Sequence, residues 1–305
     1  MPPVTRRHVL AGLLAAPALP LLQGCAAPLL PLGTTASTPE AQALLASSAA
    51  AHGAAALAGI GDVSVSYAGR WRALMGRLQP DLVDAGFRGG SEERLLLREQ
   101  LVAQGHAGPD GRKQVLREAV AGGQGRVRVW VNGQETADVQ RRAAAALVAD
   151  GYSLFLLGPM LLARPGNGRT LVMALSGTAR IEVDGQAHEC DVLRVDAAPG
   201  LGFSPGDQLA LYIDRRERLM RRVGFTLEGL DGTRNALAEV DAWGHLPLHG
   251  VRWPTRFHER LLRPAPLPVH DWRMTGLDVN RGLDPASVSG AVFTGAAARP
   301  AAALA

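Results

Sequence analysis

From Leu171 onward the chain is a succession of short stretches in which apolar and polar residues alternate, separated by turn-forming pairs. That pattern restricts the fold more than any other feature. Leu171–Leu175, Arg180–Val183, Ala187–Val195, Leu209–Ile213, Arg221–Leu227 and Ala238–Trp243 follow one another at hairpin spacing, with Asp184-Gly185 and Asp231-Gly232 as turns. The clearest stretch runs from Val251 to Leu261. Val251, Trp253, Thr255, Phe257 and Leu261 share one face, and Arg252, Arg256, His258 and Arg260 take the other. A strand of this kind needs one dry side and one wet side, so each must join a sheet whose inner face is covered. Trp272 and Met274 open a last strand, Asp284 ends the pattern, and residues 285–305 are expected to be a mobile tail.

The front half adds helices. Thr38 is placed as an N-cap with Pro39 at the first helical position, ahead of an alanine-rich run to Ile60 that Gly53 interrupts without necessarily ending. Val63, Val65 and Tyr67 then alternate as a strand. Between Gly89 and Ala119, EERLLLREQLVAQ and GRKQVLREA flank a Pro-Asp-Gly turn; periodicity leaves helix or strand open for the first piece, and the turn favours a long hairpin. Arg126–Val131 is a strand closing at Asn132-Gly133, and Glu135–Ala149 reads as a helix stopped by Gly151. Tyr152–Leu162, the most apolar segment beyond the leader, must be buried or line something apolar. With 36 glycines and 20 prolines the chain is too rich in turns for a helical bundle. An α+β body, mainly antiparallel β, is expected as one domain over residues 41–284.

The first residues, MPPVTRRHVLAGLLAAPALPLLQGC, have a basic start, a short apolar stretch and a small residue before cysteine. They read as a signal peptide over residues 1–24, too short and too proline-broken to span a bilayer. Leu22-Gln23-Gly24-Cys25 resembles a bacterial lipobox, which makes Cys25 the expected lipidation site and residues 25–40 a lipidated tether. Thr5-Arg6-Arg7 resembles a twin-arginine motif, but any secretory leader wants two basic residues here, and the export route stays open. Ala26 follows the cysteine where an inner-membrane retention signal would have Asp, so the periplasmic face of the outer membrane in a Gram-negative bacterium is expected. The net charge is only +4, and the 32 basic residues, of which Lys113 is the single lysine, are scattered among 28 acids. No nucleic-acid footprint follows from that distribution.

Together, Ala51-His52-Gly53, the first strand VSVSYAGRW from Val63, and the order Leu209–Asp214, Arg222–Leu227, Ala238–Trp243, Leu248-His249-Gly250-Val251-Arg252-Trp253-Pro254-Thr255 resemble the LolA/LolB-like superfamily of bacterial periplasmic lipoprotein-sorting and lipid-binding proteins. The resemblance implies a half-open, unclosed β-barrel of about eleven strands, with helices plugging the concave face and an apolar cavity between them. It also implies a monomeric carrier or acceptor of a hydrophobic ligand or a lipoprotein acyl chain such as palmitate, held without covalent chemistry. Residues 86–125 stand out as an insertion.

Trp130, Phe155, Met160, Phe225, Trp253 and Phe257 are the candidate wall of that cavity, with plain core packing as the competing reading for each. No nucleophile elbow, phosphate loop or paired-cysteine metal motif is present, and neither an enzymatic activity nor a cofactor or metal is expected. Two alternatives stand beside the lipid-binding reading. One is a metal-dependent periplasmic enzyme using the His and Asp residues of 241–271: His245, His249, His258, His270, Asp241 and Asp271. Glycine and proline forbid a helix at His245 and His249, and four residues along a strand span about 13 Å. The other is a structural envelope lipoprotein with no ligand. Asp214 and Asp241 are expected in charge pairs with neighbouring arginines, and Cys190, beside two acids, as an inert strand cysteine.

Overall fold

A computed structural model describes residues 29–120, 123–164, 166, 168–292 and 298. The expected leader and Cys25 lie outside them. Helix α1 (Pro39–His52) begins as the sequence predicts, with the Thr38 side chain accepting from the Ala41 N–H and proline in the first turn. Gly53 does end it. Its φ of +102° turns the chain, and a side chain there would come within 2.4 Å of the Gly250 carbonyl, so only glycine fits. A single turn, α2 (Ala54–Leu57), follows and leads to β1 (Asp62–Trp71).

Two short helices, α3 (Ala73–Leu78) and α4 (Pro80–Val83), precede four strands: β2 (Gly90–Leu96), β3 (Leu101–Gly108), β4 (Gly111–Glu118) and β5 (Arg126–Val131). The Pro-Asp-Gly turn joins β3 to β4, as expected. The segment EERLLLREQLVAQ, however, is itself a hairpin that turns at residues 97–100, where Gln100 has a φ of +52°. Asn132 and Gly133 both take positive φ and return the chain as the two-residue strand β6 (Gln134–Glu135).

The next helix is longer than its sequence predicts. Helix α5 (Val139–Leu157) passes through Gly151 and ends only at Gly158, before α6 (Pro159–Ala163). A mid-helix glycine costs about 1 kcal/mol, but 14 of the 19 residues of α5 are buried, and that burial outweighs the local penalty. The apolar Tyr152–Leu162 segment is therefore the second half of a core helix and the turn after it.

The remaining strands are β7 (Thr170–Val183), β8 (Gln186–Ala198), β9 (Asp207–Asp214), β10 (Met220–Thr226), β11 (Leu237–Trp243), β12 (Leu246–Leu248), β13 (Val251–Trp253), β14 (Arg256–Arg263) and β15 (Leu267–Val279). The 171–175 and 180–183 stretches are one strand whose register shifts between Leu175 and Thr178. The 251–261 stretch keeps its buried face, but it breaks at Pro254, and β13 pairs with β12 in a separate two-stranded ribbon. The tail begins with α7 (Pro285–Val288), closed by a capping box between Asp284 and Ser287.

Thirteen strands form one antiparallel sheet in the order β6-β5-β4-β3-β2-β1-β15-β14-β11-β10-β9-β8-β7, with β6 and β7 left as unpaired ends. The architecture is the expected α+β, unclosed half-barrel, with thirteen strands in place of about eleven. Its curvature follows from α5. Ala145 and Ala146 pack on Val129 of β5, and Phe155, roughly 14 Å further along the helix, lies 5.4 Å from Phe225 of β10. Those two strands are eight places apart in the sheet, roughly 38 Å if it were flat. The sheet must wrap around the helix. Helices α1, α5 and α6 share the main core with its inner face.

On the outer face, Leu96, Leu101, Ala103, Leu116 and Trp130 are covered by Val288 of α7. The Asp62 carboxylate holds that covering segment by accepting from the N–H groups of Arg281, Gly282 and Leu283. At the other terminus, residues 30–38 lie against the β7 edge. Arg194 donates to the Leu30 carbonyl, the Leu32 N–H donates to Asp196, and the Thr38 N–H donates to the Met173 carbonyl. Much of the segment expected as a tether is thus bound to the body.

Candidate functional site

A cleft enclosing about 100 Å³ opens between the two limbs of the sheet, where the β2–β3 turn and the end of β4 face the end of α5, α6 and the loop after β8. Leu95, Leu97, Val102, Leu157 and Leu161 form its apolar wall. Strand alternation turns Leu95 and Val102 inward together, since they are direct cross-strand partners.

One end of the cleft is charged. The Arg117 guanidinium, on β4, donates to both carboxylate oxygens of Asp150 on α5, at 3.1 and 2.9 Å, and to the Gly202 carbonyl at 2.9 Å. The Gly202 N–H donates back to Asp150 at 2.9 Å. Arg169 reaches the same carboxylate at 3.7 Å. A half-buried Arg164 also lines the cleft and has no hydrogen-bond or ion-pair partner among the described residues. Two guanidinium groups thus reach the Asp150 carboxylate, and Arg117 holds it in a bidentate pair.

None of the six residues expected to wall a cavity lines this cleft. Phe155, Met160, Phe225, Trp253 and Phe257 are buried in the main core. The Trp253 indole donates to the Leu248 carbonyl at 3.0 Å. Trp130 lies on the outer face beneath α7, with the Arg128 guanidinium 4.6 Å above its ring. Sequence reasoning missed the leucines of 95–97, which sit in the segment whose periodicity fitted helix or strand, and the arginines, which resemble surface charge until the fold turns them inward.

A second group of buried polar residues lies on the inner face beside the α3–α4 end. Glu93, Gln104, His106, Lys113 and His270 are each at most 3 % exposed. Gln104 donates to Glu93 at 2.6 Å, Lys113 to Asp84 at 2.5 Å, and the Tyr152 hydroxyl lies 3.3 Å from His270 Nδ1. Burial pushes the Glu93 carboxyl up to about 8, against weaker opposing effects from Gln104 and Arg88. Burial, aided by Arg88, holds His106 and His270 well below 6.5.

These shifts set a pH window. The two histidines contribute stability that is present above about 6.5 and is lost as pH falls toward their depressed values. Glu93 contributes stability that is present below about 4.5 and is lost as pH rises through about 8. The urea midpoint is expected to peak near pH 6.5 and to fall on both sides. Glu93→Gln should flatten the alkaline side, and an unchanged slope in that variant would contradict the assignment.

The His and Asp residues of 241–271 do not assemble. Asp241, His258 and Asp271 turn outward, whereas His270 turns inward and stacks between Trp71 and Trp272 at 4.2 and 4.6 Å. His258 pairs with Asp271 at 2.6 Å, and Asp241 is held by Arg222 at 2.5 Å and Arg260 at 2.7 Å. His245 lies beside His52, and His249 is exposed in a turn with a φ of +54°. Among the described residues no three His, Cys, Asp or Glu side chains are placed to hold a metal. Asp214 accepts from His188 at 2.8 Å and from two turn N–H groups at Arg216 and Glu217. Cys190 is fully buried, and burial together with Asp214 pushes its thiol up to about 12.

An unclosed antiparallel half-barrel wrapped on a buried helix, with a leucine-walled cleft at its open side, defines the class of this molecule. No family model and no curated protein matches the chain. Its fold is that of a DUF1329 family protein from Desulfovibrio piger, at 12% identity, with 84% of this chain and 98% of that chain covered and a TM-score of 0.50. A LolA superfamily protein from Nitrosomonas europaea aligns at 11% identity over 82% and 97% of the two chains with a TM-score of 0.46. An outer membrane lipoprotein-sorting protein domain from Vibrio parahaemolyticus aligns at 10% identity over 81% and 95% with a TM-score of 0.43. At such identities the likeness is one of fold alone.

Proposed function

We propose that the chain is an envelope lipoprotein, anchored through Cys25 on the periplasmic face of the outer membrane, that binds an acyl chain or another hydrophobic ligand without covalent chemistry. The leucine-walled cleft at the open side of the half-barrel carries this reading. An apolar recess of this kind is where a hydrophobic ligand gains by leaving water. The lipobox-like leader and the LolA/LolB-like sequence pattern point the same way. At about 100 Å³ the enclosed part is smaller than the several hundred Å³ of a typical small-molecule pocket. It suits a single chain entering from the mouth.

Native mass spectrometry with lipid extraction tests this on the chain from residue 29, where the described fold begins. A fatty acid or phospholipid released only on denaturation is the expected result. Repeated absence of lipid, or bound metal in its place, overturns the reading.

A further inference from the structure

We infer that Leu161 sets the length of chain the cleft takes, because its side chain stands between the cleft and a second void that leads into the main core. This rests on the cleft being the ligand site and names what limits its ligand. The second void encloses about 10 Å³ and is walled by Leu154, Leu162, Ala197, Leu201 and Leu209. All five are buried members of the main core, so the void lies inward of the cleft. Leu161, Arg169 and Gly200 border both spaces. Gly200 has no side chain and cannot take one, since a Cβ there would come within 2.2 Å of the Asp207 carboxylate. Arg169 is drawn to Asp150, 3.7 Å away. Among the described residues Leu161 is thus the one apolar side chain bordering both spaces. It is only partly buried, whereas its neighbour Leu162 is closed into the core.

The chemistry of the inner void suits the end of an apolar chain. The carboxylate at its edge is already committed, because Asp207 accepts from the Leu201 N–H at 2.7 Å and from the Thr226 hydroxyl at 2.8 Å. Leucine and alanine walls offer water few of the polar partners it needs, whereas a methyl or methylene group gains by entering them. A chain arriving tail first would run along Leu95, Val102 and Leu157 and halt against Leu161. Helix α6 is held in place by Pro159, Met160 and Leu162, which are buried, so the side chain at 161 can be changed without unmaking the buried face of the helix. Alanine there would join the two spaces and let the chain end reach toward Leu209. Phenylalanine would thicken the partition.

The test uses the purified full chain and probes that differ only in length, octanoate, decanoate, dodecanoate and tetradecanoate, titrated calorimetrically below their aggregation concentrations. Affinity is expected to rise about fourfold for each methylene that becomes buried and to level off once the chain meets Leu161. In Leu161→Ala the rise should continue for about two further carbons, and in Leu161→Phe it should stop earlier. Leu161→Met nearly conserves volume and should keep the original limit. Urea unfolding of each variant shows that it is folded; should alanine prevent folding, the phenylalanine variant decides alone. A limit at the same length in the alanine and phenylalanine variants overturns the assignment, as does a rise without limit in the unaltered chain. Equal weakening of every probe in a folded variant means that Leu161 shapes the cleft as a whole, which also overturns it. Binding of no probe by the unaltered chain removes the lipid-binding reading itself.

Discussion

Replacing Trp272 by alanine is expected to lower the unfolding free energy by about 3–5 kcal/mol, a large share of what holds a domain together. Trp272 is 4 % exposed and stands where strands and helix meet. Its ring lies 4.9 Å from Phe257 at an interplanar angle of 9°, 4.6 Å from His270, 5.3 Å from Tyr152 and 5.8 Å from Phe155. These neighbours come from β14, β15 and α5, so the void left by alanine would have rigid walls on each side and little means of collapsing. Urea unfolding of the two chains measures the difference. A loss below about 1 kcal/mol would mean that α5 can settle onto the sheet without this residue, contrary to the packing described. Trp272→Phe keeps a ring in the stack and should cost roughly half as much or less.

Lys113→Met should be nearly as damaging, about 3–5 kcal/mol, for an electrostatic reason. The Lys113 ammonium lies 2.5 Å from Asp84, and both side chains are almost closed to water, at 3 % and 9 % exposure. Burial pulls the ammonium down to about 8, with Arg88 acting in the same direction and Asp84 opposing. Methionine fills the space but strands the Asp84 charge in a poorly hydrated site. The double substitution Lys113→Met with Asp84→Leu removes both charges and should recover most of the loss, because a buried pair contributes little beyond cancelling its own desolvation. Equal damage from the single and double variants would show that the lysine chain acts by packing alone.

His52 illustrates how a motif can carry meaning that its own chemistry hides. The Ala51-His52-Gly53 signature contributed to the LolA/LolB-like resemblance, and in the fold His52 and Gly53 each have a mechanical task. His52 is 2 % exposed and accepts from the Met220 N–H through Nε2 at 3.0 Å. Burial lowers it to about 4, against an opposing backbone hydrogen bond at Arg252 and with smaller charge effects from Arg221 and Arg252, so it stays neutral and able to accept that bond. Gly53 then turns the chain against Gly250. The signature locks α1 onto β10 and the turn before β13, a role in architecture that involves no ligand.

The alternation of residues 171–279 by itself determined most of the sheet. A strand's period of two is a local property, and Val251, Trp253, Phe257, Val223, Val240, Leu211 and Leu193 all face inward as that period demands. Turn chemistry was equally local: Asn132-Gly133, Asp184-Gly185 and Pro109-Asp110-Gly111 each reverse the chain where the sequence places them. The Thr38 cap belongs to the same class, set by immediate neighbours.

Tertiary structure decided what depends on which surfaces meet. Gly151 weakens a helix in isolation, and only the burial of α5 on both limbs of the sheet carries the helix through it to Leu157. LLLREQL fits either period, and the pairing of Val63 with Leu95 and of Leu95 with Val102 made it a hairpin. The six aromatic and sulfur-bearing residues were equally suited to core or cavity wall, since burial in either looks the same along the chain; five of them join the main core. The cleft lies instead where Leu95 of β2, Arg117 of β4, and Asp150, Leu161, Arg164 and Arg169 of the α5–α6 region converge. No local pattern encodes such a meeting. Its geometry comes from the curvature of a thirteen-stranded sheet around one helix, and curvature is a property of the whole packing.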